Sequence, residues 1–192
     1  MATTDTANRL LDSAQALIVE RGYNAFSFKD LADEVGIRTA SIHYHFPTKG
    51  DLGVALMKRY LDGLDELLDG IDRSGRSHAG KLERLHKAYA QTETCGVLCL
   101  CGSLASDLRT LPEPLQAAVC DYLRRSERWL ERVIAEGVAD GEFAFDGRPI
   151  DAATAYLSSL QGGLVLSRTR GARASALAPI KRVFLKSLLG QG

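Results

Sequence analysis

Apolar residues recur every three to four positions through most of this chain, and no stretch alternates as a half-buried strand would. That period predicts an all-α protein. In the first segment Leu10, Leu11, Ala14, Leu17 and Ile18 form one stripe, with Thr4, Asp5 and Thr6 as cap candidates and Gly22 as the stop. Ser27 then opens a second helix, and Asp30, three positions on, can complete a capping box with it. This helix turns Phe28, Leu31, Ala32 and Val35 inward and ends at Gly36, a residue able to take a left-handed turn. Thr39 is expected to cap a third, short helix that Pro47 terminates. Helix, glycine turn and helix make a helix-turn-helix layout.

The remainder reads as longer helices. From Asp51 to about Ile71, Leu52, Leu56, Tyr60, Leu64, Leu67, Leu68 and Ile71 share a face. A loop over residues 73–80 follows, then a helix from Lys81 that runs into a cysteine-rich stretch. Pro112 and Pro114 mark a helix start, after which Leu115, Val119, Tyr122, Ser126, Trp129, Val133 and Ile134 follow one face to Gly141. The last two helices are expected at about 150–168 and 175–189.

At 192 residues, 45% hydrophobic and 25% charged, the chain can bury a core and is not a disordered polyelectrolyte. Its 24 basic and 24 acidic residues cancel, so any contact with a polyanion must come from a local patch. The longest uncharged run, 152–167, is interrupted by Ser158, Ser159, Gln161, Gly162 and Gly163, and no membrane span is expected. Met1–Asn8 lacks the pattern of a secretory signal, so a cytoplasmic location is expected. Such a compartment disfavours disulfides among Cys95, Cys99, Cys101 and Cys120.

On the third helix Ile42 and Phe46 share the inward face. Ala40, Ser41 and Tyr44 then point away from it, Thr39, His43 and His45 flank it, Arg38 precedes it and Lys49 follows. No acidic residue occurs from Arg38 to Lys49, although residues 1–50 hold five Lys/Arg against six Asp/Glu. Small residues allow close approach to base edges, where Ala40 and the Thr39 methyl suit thymine methyls. Ser27, Tyr44, His45 and Lys49 suit phosphate oxygens. Ser27 and Thr39 have an equally simple reading as helix caps, and Lys29 as a solvated side chain.

The stretch Gly22–Leu52, with Phe26-Ser-Phe-Lys-Asp-Leu-Ala, Val35-Gly-Ile and Tyr44-His-Phe-Pro-Thr-Lys-Gly-Asp-Leu52, closely resembles the N-terminal domain of the TetR (tetracycline repressor) family of bacterial transcription regulators. The resemblance implies a DNA-reading domain at residues 1–50 and an effector-binding and dimerisation domain at 51–192. It also implies a homodimer, each protomer placing its third helix in one half-site of a near-palindromic operator. Where the family usually has Tyr, this chain has His43 with Tyr44 beside it, so that phosphate contact falls to Tyr44 or His43.

Resemblance further implies that a small effector, of unknown identity, controls operator binding, most often by relieving repression. Tyr60, Tyr89, Tyr122, Trp129 and Tyr156 are candidates to line its pocket, with ordinary core packing as the alternative. Gly162-Gly163, Leu160, Leu164, Ile180, Val183, Phe184 and Leu188 offer a dimer surface or an intramolecular hairpin. Cys95-x-x-x-Cys99-x-Cys101 lacks zinc-site spacing; the thiols with His78 or His86 would suit a soft metal only if the fold brought them together, and no metal or cofactor is expected. Buried packing is the plain reading of these thiols. Cys99 also sits in a Leu-Cys-Leu context resembling the Gly-Cys-Leu of a TetR subgroup in which some members sense electrophiles, with Cys101 or Cys120 as a partner thiol. No phosphate loop, His-Glu-x-x-His or Gly-x-Ser-x-Gly motif is present, so an enzyme is not expected. A helical protein that sequesters a small molecule without reading an operator is the competing function.

Overall fold

The computed structural model describes residues 2–94, 98–170 and 175–190. Among them are nine α-helices and no strand: α1 (Ala2–Arg21), α2 (Phe28–Val35), α3 (Thr39–His45), α4 (Lys49–Asp72), α5 (His78–Thr94), α6 (Leu100–Ser106), α7 (Glu113–Ala139), α8 (Pro149–Arg170) and α9 (Leu177–Leu188). Short 3-10 turns occupy Tyr23–Ala25 and Leu108–Thr110. No described helix is long and apolar enough to cross a membrane.

Two compact units are distinguished, Met1–Asp62 with Leu100–Tyr122, and Gly63–Cys99 with Leu123–Gly192. The expected division at residue 50 falls inside the first unit, just after α4 has begun, because α4 is one continuous helix there. The core of the first unit holds Leu10, Ile18, Leu31, Ile42, Leu56, Met57, Leu104, Leu115 and Val119, each no more than 1% exposed. Two hydrogen bonds tie its first 3-10 turn to the second: Tyr23 N–H donates to Asp107 Oδ2 at 2.9 Å, and Asn24 Nδ2 to Thr110 Oγ1 at 2.7 Å. Gly53 leaves room for Leu115, whose Cδ2 would stand 2.6 Å from an added Cβ.

In the second unit α5, α8 and α9 pack together around Leu82, Tyr156, Leu160, Leu164 and Leu177. Gly163 permits the close approach of α9, because a Cβ there would meet Leu177 at 2.6 Å and Ile180 at 2.9 Å. Leu160, Leu164 and Leu188 are thus buried within the chain and are not part of an exposed dimer surface, a correction to one expectation. Asp72 links three helices, accepting from Trp129 Nε1 at 3.1 Å and Arg132 at 2.6 Å, with Lys81 at 3.4 Å. Glu93 accepts from the Ser167 and Ser175 hydroxyls and the Ala176 and Leu177 amides, which adds a distant acceptor to the start of α9, where Ser175 Oγ already accepts from Ala178 N–H at 3.0 Å.

Several boundaries differ from the sequence reading. α1 starts at Ala2, so Thr4–Thr6 lie inside it, where Asp5 still complements the helix dipole. α4 starts two residues early because Thr48 and Asp51 form a reciprocal cap, with Thr48 N–H donating to Asp51 Oδ2 at 2.9 Å and Asp51 N–H to Thr48 Oγ1 at 3.1 Å. α5 begins at His78, where Glu142 accepts from the His78 and Ala79 amides at 2.8 and 2.9 Å. α6 was not foreseen as a separate helix; Cys95 lies outside the described residues.

Candidate nucleic-acid interface

The tight turn before α3 is set by Gly36, whose left-handed backbone (φ 75°, ψ 38°) lets the amides of Gly36 and Ile37 both return to the Ala32 carbonyl at 2.9 and 3.0 Å. Arg9 adds a donor to the Val35 carbonyl at 3.0 Å, so the end of α2 is fully tied down. Ser41 N–H then donates to the Arg38 carbonyl at 2.9 Å, which starts α3 at Arg38 and makes Thr39 its first helical residue. The expectation that Thr39 caps α3 is therefore corrected: no side chain caps this end. Phe46 takes the extended conformation that a following proline favours, and Pro47 ends the helix as expected.

Ile42 and Phe46, 0% and 8% exposed, pin α3 to the core. Helical geometry then turns Ala40, Ser41, His43 and Tyr44 to solvent, with Arg38 exposed before them and Thr39 and His45 half-buried at the sides. Tyr44 is 77% exposed and meets His45 edge-on at 5.2 Å between ring centres. His43 packs its ring on Phe28, and its Nδ1 lies 3.0 Å from the Pro47 carbonyl, which assigns the proton to Nδ1 and leaves Nε2 available.

Ser27 and Lys49 are placed differently from the rest. The Ser27 hydroxyl donates to Asp30 Oδ2 at 2.6 Å and accepts from Asp30 N–H at 3.3 Å; this capping box holds the Asp30 carboxyl below its usual range. Lys49 donates to the Tyr23 carbonyl at 2.5 Å and to the Phe26 carbonyl, with its ammonium over both aromatic rings. Burial holds that ammonium below the usual lysine range. Lys49 therefore fastens the loop before α2, since its charge is satisfied by carbonyls and ring faces instead of pointing outward with Tyr44.

Of the five aromatic candidates for an effector pocket, Tyr60 and Tyr122 belong to the first unit and Tyr89, Trp129 and Tyr156 to the second. Tyr60 and Tyr122 stack at 4.9 Å in the first unit. In the second unit Trp129 donates to Asp72, Tyr89 accepts from Gln161 at 3.2 Å, and Tyr156 pairs with His86 Nδ1 at 3.0 Å. None lines either of the two clefts described, one of about 650 Å³ beside Tyr23, Lys49, Val54 and Pro112, the other of about 410 Å³ along α5 and α9. The polar tips of Trp129, Tyr89 and Tyr156 thus have internal partners, as buried polar groups require. Cys99 and Cys101 are 4% and 0% exposed, and Cys101 Sγ lies 3.6 Å from the Val119 carbonyl, whereas Cys120 is exposed. No group of three metal-ligating side chains occurs among the described residues.

An all-helical chain that presents a short, acid-free recognition helix behind a glycine turn is a helix-turn-helix DNA-binding transcription regulator. Residues 10–56 match the model for bacterial regulatory proteins of the tetR family. A TetR transcriptional regulator from Legionella pneumophila shares 33% identity and superposes with a TM-score of 0.84, covering 94% of this chain and 95% of its own. A TetR-family regulator from Agrobacterium tumefaciens gives a TM-score of 0.92 at 28% identity, covering 97% and 98%. Among curated relatives, the HTH-type transcriptional repressor NemR of Escherichia coli is 23% identical over 93% of this chain and 94% of its own. The chain belongs to the TetR family.

Proposed function

We propose that the protein is a repressor that binds a near-palindromic operator as a homodimer and releases it when a small-molecule effector binds. The observation that carries this reading is the outward face of α3, where Ala40, Ser41 and Tyr44 stand on a helix pinned by Ile42 and Phe46. In this reading Ala40 and Thr39 meet thymine methyls and Ser41 hydrogen-bonds a base edge. Tyr44, His43, His45 and Arg38, with Ser27 at the start of α2, contact phosphate and set the register, while Lys49 positions the loop. Residues 1–50 serve DNA reading and 51–192 effector binding and dimerisation. Repression is the role named for the relative NemR.

The dimer surface we assign is the exposed face of α8. Ala155, Ser158, Ser159, Gly162, Val165, Leu166 and Thr169 recur at helical spacing and carry no charge, and Val165 and Leu166 are 52% and 50% exposed. Val183 of α9, 66% exposed, adds a further apolar side chain to the outside of this helix pair. The effector acts by binding the DNA-incompetent dimer more tightly than the competent one. A thiol trigger at Cys99 would first have to open the packing that buries it.

Selection of duplexes from a random pool at two salt concentrations tests the operator reading. An inverted repeat is expected to be enriched, and Tyr44→Ala to weaken binding to it roughly tenfold, about 1.4 kcal/mol. A folded dimer that enriches nothing would instead be a sequestering protein.

A further inference from the structure

The cleft along α5 and α9 has a charge pattern that operator reading does not use. Its volume is about 410 Å³, and Arg76, Arg84, Lys87, Lys181, Glu83 and His86 are among its lining residues. Lys181 Nζ pairs with Glu83 at 2.9 Å. Arg76, Arg84 and Lys87 have no carboxylate partner among the described residues, although acids and bases balance at 24 each over the whole chain. Like charges gathered in one concavity repel one another, and an anion that enters relieves that repulsion. Arg84 and Lys87 are three residues apart on α5 and so share a face, Arg76 comes from the loop before that helix, and Lys181 from α9.

His86 is the buried member of this set, 5% exposed. Its Nδ1 lies 3.0 Å from the Tyr156 hydroxyl, and Tyr156 stacks on Phe184 of α9 at 4.0 Å, so the ring is held from behind by both packed helices. Nε2 makes no hydrogen bond among the described residues and supplies a second polar group to the cleft. A buried polar group and a lining drawn from two helices and a loop distinguish this shallow site from a run of charge along one helix.

We propose that the cleft binds a small phosphorylated metabolite, with its phosphate or diphosphate group held by Arg76, Arg84 and Lys87 and facing His86. Two guanidinium forks and an ammonium match an oxyanion with at least three acceptor oxygens, whereas the two carboxylates of a small dicarboxylate would fill the forks and leave the ammonium unmatched. The site is built from α5, α9 and the loop before α5, and it does not depend on the operator reading.

The test is titration of the full-length protein with inorganic pyrophosphate and, separately, with malonate at constant ionic strength, followed by calorimetry and by the NMR signal of the His86 ring. Saturable pyrophosphate binding that shifts the His86 signal is expected, at least roughly tenfold tighter than malonate binding. The double variant Arg84→Gln/Lys87→Gln should lose it by roughly tenfold or more, while Arg128→Gln, an exposed charge outside the cleft lining, should not. Equal affinity for the two anions, or affinity unchanged in the double variant, would overturn the assignment. So would the absence of saturable binding by folded protein.

Discussion

Individual side chains in this protein are decided by what lies behind them. Tyr44 and Lys49 both looked suited to phosphate, yet one stands 77% exposed and the other is drawn onto the Tyr23 and Phe26 carbonyls. A lysine five residues beyond an exposed tyrosine carries no mark in the sequence of the carbonyls that will claim it. His86 is flanked in sequence by Leu85 and Lys87, and folding buries it against Tyr156. Burial, reinforced by the Lys181 charge, holds its imidazole below the ordinary value of about 6.5. The folded protein therefore binds that proton less readily than the unfolded chain. Stability from this site is complete above pH 6.5 and declines as pH falls below that value. His86→Gln keeps a polar partner for Tyr156 and removes this titration; unfolding compared at pH 7.5 and pH 5.5 should show a smaller loss on acidification in the variant than in the parent. An equal loss in both would show that other groups carry the acid sensitivity.

At the scale of elements, the helix-turn-helix was readable because its punctuation is local. Ser27 with Asp30, and Gly36, act within a few residues of their position, so pattern and structure agree there. Thr48 with Asp51 carries the same signature, one residue ahead of the helix it starts, and was overlooked. Gly36 and Gly63 provide a paired test of what glycine contributes. Neither position would crowd an added Cβ, but Gly36 has φ +75° while Gly63 lies within α4. Gly36→Ala is expected to cost about 1–2 kcal/mol from its left-handed backbone. Gly63→Ala should instead stabilise by roughly 0.5–1 kcal/mol through helix propensity. Denaturant unfolding at one fixed protein concentration reads both; equal effects would mean that the turn before α3 is not held in this conformation. The starts of α5 and α9 are only partly local: Ser77 and Ser175 accept from Gly80 and Ala178 three residues on, while Glu142 and Glu93 add acceptors from distant positions in the chain.

Across the whole molecule, the exposed stripe of Ala155, Ser158, Gly162, Leu166 and Thr169 on α8 is what a second copy of the chain would cover in the proposed dimer. Leu166→Arg would place an unpaired charge in that interface, at a cost on the order of 3 kcal/mol or roughly a hundredfold in association. Sedimentation at micromolar concentration should then find a monomer, with operator binding lost alongside. A dimer that persists unchanged would move the interface to another face. α4 and α7 each contribute residues to both compact units.

The amino-acid sequence by itself determined the helical class, the glycine turn and the outward face of α3, because periodicity and capping act over one or two turns of chain. Tertiary structure alone decided which apolar residues of α8 and α9 stay exposed, since Gly163 lets Leu177 and Ile180 cover one side of the pair. It also decided the fate of the thiols and aromatics, and it gathered Arg76, Arg84, Lys87, Lys181 and His86 into one cleft. Those outcomes depend on which distant segments meet, and local spacing holds no record of that.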